Sequence, residues 1–179
     1  AGSWPCAVIA DWPSLADRGL MMDVSRGKVP TLETIKLVID QLSLYKMNVL
    51  QFYTEHTFRF PHHPRIGQDC GSLTAEDILE LDAYARPRYI ELMPNLQSFG
   101  HCEHILNLPE YTPLAESAAH WSLCPVDERT YAFIDELYGD MLPAFSSRTL
   151  NIGCDETFDL GKGRSRELVQ EIGLGRVYL

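Results

Sequence analysis

No stretch of this sequence approaches the ~18 consecutive apolar residues that a membrane-crossing helix needs, so no span and no membrane partner are expected. Positive charge is scarce. Lys plus Arg number 15 against 25 Asp plus Glu, a net charge of −10. That leaves no basic footprint for nucleic acid. C-x-x-C pairs are absent, and the five cysteines, at 6, 70, 102, 124 and 154, are an odd number. Both facts argue against a disulfide scaffold or a thiolate zinc site and toward a reducing, cytoplasmic setting. The opening AGSWPCAVIADW lacks a basic segment running into a full apolar stretch, so it does not read as a signal peptide. Because the chain starts at Ala1 rather than Met, a processed protein or a fragment is expected, and secretion stays open. No repeat, low-complexity run or linker interrupts the sequence.

What is present is the material of one folded unit. The 179 residues are 45% hydrophobic and 10% aromatic, enough for a sizeable core within one domain over 1–179. Short apolar runs alternate with helical patterns. Arg18–Val24 reads as a strand. Pro30-Thr31 then opens a helix with Ile35, Val38, Ile39 and Leu42 spaced by three and four on one face. Asn48–Tyr53 is a second strand. Thr74 caps a second helix, with Asp77 at the capping-box distance, Ile78, Leu81 and Ala85 on its apolar face, and Pro87 at its end. Tyr89–Met93 is a third strand, followed by a long loop from Pro94 to Pro125. A third helix covers roughly Asp127 to Phe145. Thr149–Ile152 is a fourth strand, and a further helix starts near Arg164 or Ser165. His62 and His63, in a Pro-flanked loop, read as surface residues.

Strand and helix in alternation mean a parallel α/β sheet built from βαβ crossovers. A doubly wound sheet and a (β/α)8 TIM barrel both fit. Two observations favour the barrel. No glycine-rich phosphate loop follows the first strand. Reactive residues follow each strand, at Asp23, Glu55, His101, Asp155 and Glu156, which is where barrels build their sites. A full barrel takes about 250 residues, so about four βα units are expected here, a partial barrel whose second half is absent from this chain. Two unpaired sheet edges would follow, and with them a need for a further chain completing the barrel.

The sharpest chemical feature is Asn151-Ile-Gly-Cys-Asp155-Glu156. Side chains alternate across a regular strand, so two neighbours share one site only where the strand has ended. Crowding two carboxylates costs repulsion and desolvation, the situation that makes one carboxyl available as an acid near neutrality. A solvated Asp-Glu pair at a loop start is the competing reading. His101, at the end of Glu91-Leu-Met-Pro-Asn-Leu-Gln-Ser-Phe-Gly-His, is a candidate to hold a substrate hydroxyl or orient a carboxylate. It is equally a hydrogen-bonded loop histidine. With His104 it forms an H-x-x-H, but no third metal ligand has convincing spacing, and neither metal nor cofactor is expected. Glu55 is a candidate substrate ligand or a rim residue. Arg18 has a planar guanidinium suited to paired oxygens; the alternative is a structural pair of Arg18 or Arg26 with Asp23. Cys154 reads as a small packer. The aromatics Trp12, Phe52, Phe58, Phe99 and Trp121 divide between core and sugar stacking.

Four segments in order resemble the catalytic domain of glycoside hydrolase family 20, the β-N-acetylhexosaminidases. They are Arg18-Gly-Leu-Met-Met-Asp-Val-Ser-Arg26, Lys46-Met-Asn-Val-Leu-Gln-Phe-Tyr53, Glu91-Leu-Met-Pro with Gly100-His101, and Gly153-Cys-Asp155-Glu156. The resemblance runs from about residue 17 to the end. It implies hydrolysis of terminal N-acetyl-β-hexosaminide linkages, GlcNAc or GalNAc, in a glycan or glycoconjugate. The family departs from the usual two-carboxylate scheme, because the substrate's own 2-acetamido oxygen is the nucleophile. Carried over, Glu156 is the acid/base and Asp155 stabilises the acetamido group. Arg18 matches the sugar-binding arginine, and His101 a supporting histidine. Glu55 is a looser match, and the tyrosine and tryptophans that close the family's acetamido pocket come from later strands than this chain contains. Two other readings compete: an inactive carbohydrate-binding fragment of such a barrel, and a metal-dependent barrel hydrolase using His101 and His104.

Overall fold

The computed structural model describes residues 5–179, so the first four residues of the opening stretch lie outside it. Strands β1 (Gly19–Asp23), β2 (Val49–Tyr53) and β3 (Glu91–Met93) form a parallel sheet in that order. Gly19 lies opposite Val49, Asp23 opposite Tyr53, and Leu50 opposite Leu92. Parallel neighbours need a crossover, and two helices supply it. Helix α1 (Leu32–Leu44) joins β1 to β2, and α2 (Ala75–Ala85) joins β2 to β3. The chain is therefore α/β, as its alternating pattern predicts.

The local signals act as expected. The Thr31 hydroxyl accepts from Thr34 N at the start of α1. Thr74 and Asp77 form a reciprocal capping box on α2. Ile35, Ile39 and Leu42 on α1 and Ile78, Leu81 and Ala85 on α2 are buried against Leu50, Phe52 and Leu92 of the sheet. Each large side chain so buried is worth roughly 1.5–3 kcal/mol before entropy is counted. Alternation sends Gln51 to the other face, where its amide donates to Met93 Sδ at 2.7 Å and its carbonyl accepts from Asn151 Nδ2 at 3.2 Å. Beyond α2, a 3-10 turn at Arg86–Arg88 absorbs Pro87. Among the described residues β1 pairs with β2 alone, and its Leu20 and Met21 are exposed.

Some expectations are corrected. Thr149–Ile152 does not form a full strand; Asn151 bridges in parallel to Asn95 beside β3. Pro94 has no N–H to donate, so that ladder is thin. It consists of Asn151 N to Pro94 O, Leu96 N to Asn151 O and Ser98 N to Gly153 O. The loop after β3 carries a short helix, α3 (Glu103–Leu106), and a 3-10 turn at Thr112–Leu114. Helix α4 (Glu128–Met141) begins at the Asp127 cap and stops short of Phe145, where Pro143 turns it into a 3-10 segment at Leu142–Ala144. Helices α5 (Arg166–Ile172) and α6 (Leu174–Tyr178) follow. His63 is not a surface residue: its ring packs edge-on against Phe133 and Tyr111, and Glu136 lies 3.0 Å away. Among the described residues no helix is long and apolar enough to cross a membrane.

Candidate active site

Because the strands run the same way, the loops leaving β1, β2, β3 and the Asn151 bridge emerge at one end of the sheet. Polar staples lock these loops together. Ser25 Oγ accepts from Glu55 N at 2.8 Å and bonds Thr57 Oγ1. Asn95, fully buried, accepts from Thr54 N and donates to Asn151 O. The first staple ties the first loop to the second, and the other ties the second to the third and fourth.

His101 is the centre of what they hold. It is buried, and it adopts a left-handed φ of 58°. Its Nδ1 lies 3.5 Å from Glu55 Oε1. Its Nε2 lies 3.1 Å from Glu156 Oε2 and 3.6 Å from Asp155 Oδ2. The Nε2 contacts are close without the alignment of a hydrogen bond. Trp121 covers the ring at 4.7 Å between centroids, and its Nε1 donates to the Glu156 carbonyl at 2.6 Å. Gly100 permits the approach, because a Cβ there would sit 2.5 Å from Asp155 O. Glu156 is also left-handed, φ 52°. Such strain in non-glycine residues persists where surrounding structure over-determines it, commonly at functional sites.

The two carboxylates differ from Glu55 in exposure. The Asp155 and Glu156 side chains are 60% and 53% exposed, while that of Glu55 is 7% exposed. Glu55 is held by the Tyr53 hydroxyl, which donates to Oε1 at 2.8 Å. Burial, reinforced by the Glu55 charge, pushes the Tyr53 phenol well above its ordinary value, so it stays a donor. The oxygens of Asp155 and Glu156 fall within 4.8 Å of each other and of the histidine nitrogen. A single sugar ring spans such a gap, so one substrate can meet both.

Four of the residues singled out in the sequence, Glu55, His101, Asp155 and Glu156, therefore meet. Arg18 does not. It precedes β1 and so lies at the opposite end of the sheet, about 17 Å away along five strand residues. Its guanidinium is occupied by the carbonyls of Lys46, Leu15 and Ala16. The arginine at the site is Arg26. Its guanidinium lies 4.4 Å above the Tyr53 ring, and Nε donates to Asp23 Oδ2 at 2.6 Å. Burial opposes ionisation of Asp23, but the Arg26 and Ser25 backbone N–H groups and the Arg26 guanidinium outweigh it and hold the carboxyl below its usual range. The signal for Arg26 was its place directly after the strand, whereas Arg18 stands before it. Tyr53 carries no site signal in the sequence, and Trp121 stands among aromatics divided between core and sugar stacking; nothing in their spacing separates a site aromatic from a core one.

His104 does not join His101. It stacks on His56, with Glu55 beside both. Burial, with His104 adjacent, pushes the His56 imidazole down to about 4. Cys154 is half-buried, 3.6 Å from Ser98 Oγ.

The chain is 27% identical over 173 residues to beta-hexosaminidase subunit A2 of Dictyostelium discoideum, covering 86% of this chain and 30% of that protein. It is 30% identical over 159 residues to beta-hexosaminidase 3 of Arabidopsis thaliana, covering 83% of this chain and 29% of that one. The chain thus spans about a third of the length of the curated relatives it matches. Among solved structures, Flavobacterium johnsoniae chitobiase superposes with a TM-score of 0.80 at 25% identity, over 89% of this chain and 27% of that one. The Vibrio harveyi GH20 exo beta-N-acetylglucosaminidase, in complex with N-acetylglucosamine, shares the fold at a TM-score of 0.77 and 21% identity, over 91% and 31%. Residues 16–172 match the model described as glycosyl hydrolase family 20, catalytic domain, and the chain belongs to that family.

Proposed function

We propose that the protein carrying this chain hydrolyses terminal N-acetyl-β-hexosaminide linkages, with the substrate's acetamido group as nucleophile. The observation that carries the reading is the Asp155–Glu156 pair, gathered with His101 within 4.8 Å on the rim of a family 20 fold. The acetamido carbonyl oxygen attacks the anomeric carbon as the glycosidic C–O bond breaks. Glu156 gives its proton to the leaving oxygen. Asp155 accepts a hydrogen bond from the acetamido N–H and offsets the positive charge of the oxazolinium intermediate. Glu156, now a carboxylate, takes a proton from water. That water attacks the anomeric carbon, restores the acetamido group and gives retention of configuration. Arg26 donates to sugar hydroxyls. His101, fixed by Glu55 and Trp121, positions Glu156.

In the same reading the chain supplies the first four βα units of a (β/α)8 barrel. The remaining units come from outside these residues, in the same polypeptide or a further chain. The edge of β1, unpaired among the described residues, and the exposed Met21 support this. A reducing, cytoplasmic compartment also belongs to the reading; five free thiols support it.

The test is hydrolysis of an aryl N-acetyl-β-glucosaminide against the matching aryl β-glucoside. The glucoside lacks the acetamido nucleophile and is expected to remain nearly untouched. Equal turnover of both would overturn the substrate-assisted mechanism. Saturable binding of N-acetylglucosamine with no turnover of either would favour an inactive carbohydrate-binding module.

A further inference from the structure

Beside the carboxylate pair lies a cluster of which hydrolysis uses Glu55 alone, to hold His101. His56, in the loop after β2, and His104, on α3, stack ring on ring with centroids 4.1 Å apart and planes 29° apart. One nitrogen from each and a carboxylate oxygen of Glu55 all fall within 4.8 Å of one another. Glu55 and His56 are 6% and 7% exposed. His56 Nδ1 is buried with no hydrogen-bond partner among the described residues. Folded proteins rarely leave such an atom unpaired, and an unmet buried donor or acceptor calls for a ligand or other partner.

We propose that Glu55, His56 and His104 form a binding site for a divalent transition-metal ion of the zinc or cobalt type. Two imidazole nitrogens and one carboxylate oxygen are a borderline donor set. It suits zinc, cobalt and nickel, whereas calcium and magnesium favour oxygen alone. Three protein donors leave a position for water. Donors about 2.0–2.1 Å from a tetrahedral ion lie roughly 3.3 Å apart, so the cluster must draw inward on binding. His104 can do this, because it is exposed and sits on a four-residue helix rather than in the core. Glu55 needs little adjustment, since the Tyr53 hydroxyl already fixes its carboxylate. The site is distinct from the second group of close donors, His101 with Asp155 and Glu156; only Glu55 faces both.

The experiment is a titration of the chelator-treated full protein with cobalt(II), followed by its ligand-field absorption, with zinc binding measured by calorimetry. Neither readout depends on hydrolysis. Saturation at one ion per chain is expected. His56→Ala and His104→Ala should each weaken it by about tenfold or more, and Glu156→Gln should leave it unchanged. Since His104 is exposed, its substitution keeps the test valid if the His56 variant fails to fold. Absence of saturable binding would overturn the proposal. So would binding that survives His104→Ala, or binding lost in Glu156→Gln, which would move the ion to the other cluster.

Discussion

The buried ring of His101 reaches Glu156 at 3.1 Å, Nε2 to Oε2, although the two residues stand on different loops. Both hold left-handed backbone conformations to make that approach. The Trp121 indole clamps the pair by packing on the histidine ring and donating to the glutamate's carbonyl. The placement of Glu156 is therefore set by a neighbour brought in from the third loop.

Glu156→Gln removes the transferable proton and should lower kcat for a poorly activated glycoside by about 10²–10⁴-fold. Asp155→Asn should cost about 10²-fold, because it removes charge stabilisation rather than the acid. Steady-state kinetics on an alkyl N-acetyl-β-glucosaminide, whose alkoxide leaving group needs the proton, check both. Wild-type rates in either variant would remove that residue from the mechanism.

Arg26 and Arg18 should separate cleanly. Arg26→Ala is expected to raise KM about tenfold or more, with a small change in urea midpoint, since its side chain is 58% exposed. Arg18→Ala should leave KM unchanged and lower the midpoint, because three carbonyls lose their shared donor. A KM effect confined to Arg18 would reverse the assignment.

Glu116 is fully buried and accepts from Gly163 N, Ser165 N and Ser165 Oγ. It fastens the segment that follows Glu156 to the loop after β3. Glu116→Ala strands those donors and should destabilise the protein by about 3 kcal/mol in chemical denaturation. Gly163→Ala should be at least as harmful, because its Cβ would lie 1.8 Å from the Glu116 carbonyl oxygen. Little change in either variant would show that this segment is not held from Glu116.

Asp127 carries a pH-dependent share of stability. Hydrogen bonds from Arg129 and Arg164 outweigh burial and hold its carboxyl well below its ordinary value of 3.8. Its folded value is depressed, so the contribution is present above 3.8 and is lost as pH falls further, through the folded value. Asp127→Asn keeps a competent cap for α4 and removes only the charge. It should cost about 1 kcal/mol at pH 7, and the gap from wild type should shrink in acid. Urea midpoints at pH 7 and at pH 3 and below measure it; a gap independent of pH would assign the loss to the cap.

The sequence by itself determined the α/β class, both crossover helices with their caps, and the Asp155–Glu156 and Gly100–His101 elements of the site. Those features are local. Apolar spacing, a Thr-x-x-Asp cap and adjacent carboxylates act over a few residues, so they can be read from neighbours in the chain. Tertiary structure decided the rest. Whether Arg18 or Arg26 serves the site depends on which end of β1 carries the loops. Whether His104 joins His101 or His56 depends on the turn of a four-residue helix. The fourth strand shrank to a bridge because a strand needs a well-formed neighbour, and Pro94 thins the one it has. Trp121 and Tyr53 became site residues only when packing set them against His101 and Glu55. The bridge at Asn151 and the places of Trp121 and Tyr53 depend on contacts between segments far apart in sequence, which local chemistry does not encode.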